Sequence, residues 1–237
     1  MISFFRKIRL SLLNQSKVTR YLAYAFGEIF LVVIGILVAL EVNNWNEEKK
    51  RRTFETDILS LLDNNLASDS LLMSKELTQA ELANQLTDSL LNQVALGDYN
   101  EQLNLWMGKI ISFQRFKSQS SAFEVLKSKG IENISDKALQ LALIGYYDLS
   151  LFRVYQANSD VENAFNNDWV PIMKEKTNDF VYYTRIAPRN PKEFFESPST
   201  VVLFKMYQDN RSGAIRRMEI ALDEISHLRT QIKKRKL

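Results

Sequence analysis

A single histidine, His227, and the absence of cysteine bound the chemistry open to this chain. Without cysteine there is no thiol nucleophile, disulfide framework or iron–sulfur site. One histidine excludes a His-rich zinc site or a relay of several imidazoles. His227 sits in a helical run and reads as an ordinary helix residue. The carboxylate pairs Glu47/Glu48 and Asp57/Asp63 select no metal by their spacing and read as solvated faces. Seven glycines leave little material for phosphate loops, and no GxGxxG, P-loop, HExxH, EF-hand loop or GxSxG occurs. The reading is a chain that is not an enzyme and uses no cofactor or metal. One acid stands apart. Glu28 lies inside an apolar run, where an ionisable group is costly and so suggests a function. Three roles fit it: an ion path, a helix-packing or partner contact, and interfacial placement.

The basic residues form two groups around that run. Arg6, Lys7, Arg9, Lys17 and Arg20 precede it with no acid among them, and Lys49, Lys50, Arg51 and Arg52 follow it. Such clusters suit anionic lipid headgroups, and residues 1–20 read as a basic amphipathic segment on a membrane surface or a plain topogenic tail. The net charge of +3 comes from 31 basic and 28 acidic residues. Beyond Trp45 the balance is 26 to 26, which leaves no general nucleic-acid footprint.

The element that must place these groups is the apolar run itself. Ile29 to Leu40 reads IFLVVIGILVAL, and the tolerable limits Tyr21 to Val42 give 22 residues. As a helix these rise about 33 Å, enough for a hydrocarbon core of about 30 Å. Tyr21, Tyr24 and Trp45 flank the run as interfacial anchors. No small-x-small cleavage site follows, so residues 21–45 read as an uncleaved signal anchor rather than a signal peptide or a core helix. The acid-free first flank favours a cytoplasmic N-terminus, with the rest outside. Ala23, Gly27, Gly35 and Ala39 recur at multiples of four residues, a pattern that lets membrane helices approach closely. The expected partners are membrane lipid and either a second copy or another membrane protein.

Residues 46–237 read as a helical extramembrane domain. No Gly or Pro occurs from Ile36 to Leu96, so the first helix can continue far past the span. Leu59, Leu62, Leu66, Met73, Ala80, Ala83, Leu90 and Val94 follow a 3/4 spacing that Asp69, Glu76 and Thr87 interrupt. Shorter helices are predicted over Glu101 to Phe116, from a cap at Ser120 or Ser121 to Gly130, and from a Ser135 cap towards Trp169. Residues 175–199, with Pro188, Pro191 and Pro198, read as a loop in which Val181-Tyr182-Tyr183 could be a lone strand. The last helix carries the stripe Met218, Leu222, Ile225, Leu228 and Ile232 and should pair antiparallel with the first. That pairing would bring Lys233–Lys236 back towards Lys49–Arg52. The fold class is all-α: one transmembrane helix, then a helical bundle with long first and last helices.

The stretch GEIFLVVIGILVALEVNNWNE, Gly27 to Glu47, with the preceding FFRKIR, resembles a family of small uncharacterised single-pass membrane proteins of Bacteroidetes-type bacteria. Ser121 to Ser128 looks like a second, weaker shared block. The resemblance implies a bacterial inner-membrane address and carries across no activity. Two functions are open. One is a membrane-anchored interaction or accessory module, self-associating or docked on a membrane complex. The other is a periplasmic ligand-sensing domain acting through a partner, whose small-molecule pocket could be lined by Trp106, Tyr146, Tyr147, Tyr155 and Trp169.

Overall fold

The computed structural model describes residues 18–235, with the side chains of all of these except 18–20 and 23. Arg6, Lys7, Arg9, Lys17 and Lys236 lie outside the described residues, and the side chains of Arg20 and Ala23 are not described. The chain divides into two units, Met1–Phe54 and Glu55–Leu237. Helix α1, Val18–Ala95, enters both. It is followed by α2, Glu101–Ile111, and α3, Ser121–Lys129. A third helical run comprises α4, Lys137–Ile144, α5, Leu151–Ala164, and α6, Val170–Lys176. A hairpin, β1 Thr177–Val181 and β2 Arg185–Pro188, leads to the short α7, Pro191–Glu196, and to α8, Pro198–Arg235.

In the first unit, α1 is long and apolar enough to cross a membrane, and its apolar window is not buried within the chain. Side chains from Phe26 to Glu47 are exposed. A soluble core helix would be covered by its neighbours. Here Phe30, Leu31 and Leu37 are each about 60% exposed, a cost in water that hydrocarbon removes.

The second unit is built on two heptad seams. Along α1, Glu55, Leu62, Asp69, Glu76, Ala83 and Leu90 recur every seven residues and are all buried. Leu59, Leu66, Met73 and Thr87 form the alternate row. The acids and the threonine that interrupt the apolar pattern therefore keep its register. They are buried members of the stripe rather than breaks in it. On α8 the equivalent rows are Thr200, Tyr207, Ala214, Ala221 and Leu228, and Phe204, Arg211, Met218, Ile225 and Ile232. Ala221 takes the place the sequence suggested for Leu222, which is half-buried. A 3.5-residue period on both helices is that of left-handed coiled packing. They run antiparallel: Arg229 Nε bonds Asp63 Oδ1 at 2.9 Å, Asn84 Nδ2 donates to Ser212 Oγ at 2.9 Å, and Gln208 Nε2 donates to Asp88 Oδ1 at 2.8 Å.

Two helix starts differ from the sequence reading. Ser120 makes no side-chain cap to α3; the Ala122 N–H is taken by Asn65 Oδ1 at 3.1 Å, from α1. The α4 cap is Asp136, accepting from Ala138 N and Leu139 N, not Ser135. Ser135 N and Oγ instead donate to Glu55 Oε1, each at 2.7 Å. Gly130 does end α3, at φ +101°, where a side chain would be strained.

Residues 137–176 form one run in which two turns, Gly145–Ser150 and Phe165–Trp169, widen to i→i+5 bonding. Pro171 follows the second. It has no N–H for the ladder and its ring crowds the preceding turn, which a widened turn accommodates.

The expected loop at residues 175–199 is instead the hairpin and α7. Antiparallel pairs Phe180↔Ile186 and Val181↔Arg185 define it, with an irregularity between Thr177 and Asp179. Its turn places Tyr183 at φ 64°, a conformation with no glycine to announce it. The hairpin is held from the residues just after α2: Ser112 Oγ accepts from Tyr183 N at 2.9 Å, and Phe113 O accepts from Tyr183 Oη at 2.6 Å. Gly108 allows this approach, since a Cβ there would lie 2.5 Å from Arg185 N.

Candidate functional site

The buried acids of α1 each anchor a different segment. Asp69, fully buried, accepts from Ser118 Oγ, from Gln119 N at 2.7 Å and from Tyr146 Oη at 3.0 Å. These bonds fix the non-helical segment before α3 and the first widened turn onto α1. A buried carboxylate needs such partners to offset its lost hydration. Burial and the neighbouring Asp69 raise the Tyr146 phenol well above its usual range.

Glu76 is less well satisfied. Its Oε1 accepts from Asn158 Nδ2 at 2.9 Å, across to α5. Burial pushes its carboxyl from the ordinary 4.5 up to about 7, although hydrogen bonds from Asn158 and the Phe116 backbone act the other way.

Glu76 lies in the wall of a cavity of about 190 Å³ between α1, α2, α5, the hairpin and α8. Arg211, only 2% exposed, is also among its lining residues. Its Nη2 donates to Ile110 O and faces Ser112 O at 3.5 Å, and its guanidinium lies 4.6 Å from the centre of the Tyr207 ring. Tyr207 Oη donates to Ile111 O at 2.8 Å. Together the two side chains take up carbonyls at the C-terminal end of α2, where a cation is favourable. Among the described residues no carboxylate forms an ion pair with Arg211, and its Nη1 is buried without a hydrogen-bond partner. Burial pulls this guanidinium below its usual range. Gln79 Oε1, on the same wall as Glu76, is also buried without a partner.

A family model matches residues 28–178, more than half of the chain. The chain belongs to DUF6090, a family of unknown function. The DUF6090 match covers the apolar window from Glu28, the buried acids of α1, helices α2 to α6 and the first residues of the hairpin. Arg211 and the rest of α8 lie beyond it. No curated protein matches the chain, and no solved structure does.

The sequence-derived residues fall as follows. Gly27, Glu28, Gly35, Ala39 and Trp45 are exposed along α1, and Tyr21 and Tyr24 are half-buried. A side chain added at Gly27 or Gly35 would meet nothing within 4 Å, so space beside both is open. Lys49 stacks on Trp45 at 5.8 Å, Lys50 pairs with Glu47 at 2.9 Å, and Arg51 and Arg52 share Glu48 at 2.8 and 2.7 Å. Hydrogen bonds from Arg51 and Arg52 hold the Glu48 carboxyl down at about 2. Three of these four bases thus already have a carboxylate partner. The aromatic set separates: Tyr147 stacks on Phe123 at 4.4 Å beside Tyr146, and Trp169 packs against Phe204 at 4.8 Å. His227 is exposed on α8, with Nδ1 3.0 Å from Asp223 O. Among the described residues no group of three or more His, Asp or Glu side chains is placed to hold a metal.

The pairing of Arg211 with a cavity was not visible in the sequence. Its one signal is the heptad position it occupies on α8, four residues after Tyr207.

Proposed function

We propose that this DUF6090 protein is a membrane-tethered helical module whose work is contact rather than catalysis. The supporting observation is the contrast along α1: an apolar window exposed from Phe26 onward, then heptads fully covered from Glu55. The first half is suited to lipid and to another membrane helix, the second to a folded bundle. In this reading α1 is an uncleaved anchor in a bacterial inner membrane, with the N-terminus cytoplasmic and the bundle periplasmic. The face carrying Ala23, Gly27, Gly35 and Ala39 docks on a second copy or another membrane protein.

A membrane two-hybrid assay of the full chain tests the docking face. Gly35→Leu and Ala39→Leu should reduce association, and unchanged association would refute that face. Reporter fusions at the C-terminus test the orientation; activity of a cytoplasm-specific reporter would reverse it.

A further inference from the structure

We infer that the groove beside strand β1 binds a short extended segment of a partner protein, which adds to β1 as a third strand. The inference concerns the second unit alone and stands apart from the docking face on α1. Among the described residues β1 pairs with β2 only, so its other edge carries no strand. The two sides of the hairpin differ. β2 lies against α2, so close that a Cβ at Gly108 would sit 2.5 Å from Arg185 N. Beside β1 there is instead a groove of about 380 Å³, lined by residues 177–180 of β1 and by Phe165, Val170, Met173 and Lys174 of the preceding helical run. Successive side chains of a strand point to opposite faces. A groove that touches four consecutive residues therefore runs along the edge of β1 rather than over one face.

The lining selects the occupant. An unpaired edge offers a row of backbone N–H and C=O groups, which an extended backbone matches. In a second copy the β1 edge is flanked by the same helical wall, which two copies meeting edge to edge would have to bring together. A lone extended segment meets no such obstacle. Phe165, Val170 and Met173 line the groove, and Phe180 is 44% exposed beside them. These suit apolar side chains at alternate positions of the guest. Of the charges in the lining, Asp179 is already paired with Arg185 at 3.5 Å. Lys174 is exposed and, among the described residues, forms no ion pair. It is the charge left to meet an acid on the guest.

The probe is a phage-displayed library of random heptapeptides, selected on the full chain in mild detergent micelles. Selected peptides should carry apolar residues at alternate positions and an acid, and should slow amide exchange at residues 177–181. N-methylation of the peptide backbone should weaken binding at least about tenfold, as should Lys174→Glu. Replacing the peptide's acid by lysine should restore binding to Lys174→Glu. Because Lys174 is exposed, this variant should melt as the native chain does. A selection that enriches no peptide overturns the site. So do binding indifferent to N-methylation, binding indifferent to Lys174→Glu, and exchange slowed only outside β1. Slowing at β1 on raising the chain's own concentration, with no peptide present, would place a second copy there and overturn the peptide as occupant.

Discussion

Replacing Glu76 by Gln isolates the cost of keeping a carboxyl group under the bundle. In the unfolded chain the group loses its proton near 4.5, and in the folded chain near 7. Below the lower value both states are protonated and the group has no effect on stability. Between the two, the folded state holds the proton and the unfolded state does not, so stability falls as pH rises. Above about 7 the penalty is complete. At about 1.36 kcal/mol per pH unit that interval corresponds to about 3 kcal/mol. Partial solvent access lowers it to about 2 kcal/mol. Gln has no such titration, and its Oε1 can still accept from Asn158 Nδ2. Glu76→Gln should therefore be about 2 kcal/mol more stable than the native chain at pH 8 and equal to it near pH 4.5. The assay is equilibrium unfolding of the full chain in detergent, followed by tryptophan fluorescence, since Trp169 is fully buried. Parallel stability curves for the two proteins from pH 5 to 8, or a less stable variant at pH 8, would refute the reasoning.

Asp69→Ala removes the acceptor for Ser118, Gln119 and Tyr146 at once and should cost about 3–5 kcal/mol in the same unfolding assay. Gly108→Ala forces a methyl against the hairpin backbone. We expect a loss of about 1–3 kcal/mol and faster amide exchange at Tyr183, read by mass spectrometry. Asp136→Ala deletes the α4 cap and the partner of Arg235, for about 1 kcal/mol in thermal unfolding. Gly130→Ala must adopt φ +101° beside the Glu132 carboxylate and should lower the melting temperature, whereas Gly35→Leu, in open space, should leave the bundle's melting unchanged.

The long elements were legible because their period and breakers are local properties. The absence of Gly and Pro from Ile36 to Leu96, the uninterrupted apolar run and the α8 stripe each follow from residues adjacent on one helix. The polar groups at Asp69, Glu76 and Thr87 were read as breaks because the pattern alone does not show a buried acid's partners. Those partners, Ser118, Tyr146 and Asn158, lie on other elements. The hairpin escaped for a similar reason. It has no Asn-Gly turn, its left-handed residue is Tyr183, and its docking depends on an absent side chain at Gly108. The cavity is the least legible feature, since five elements meet around it. Only the buried heptad position of Arg211 marks it.

The two widened turns in residues 137–176 have a consequence for rotational phase. Leu139, Leu143, Tyr147 and Leu151 are buried at successive steps of four, as are Val161, Trp169 and Met173 at multiples of four. On a regular helix each step of four overshoots a full turn by about 40°, so three such steps swing a residue well off its starting face. A turn of i→i+5 bonding holds more residues per revolution and cancels that drift. Each widened turn thus behaves as one extra residue absorbed into the helix. Deleting a single residue from Phe165–Trp169 would restore regular winding locally. With that extra residue gone the phase beyond is kept, whereas tightening the turn with all its residues in place would rotate everything beyond by about 100° and carry Met173 and the hairpin off the faces they now cover.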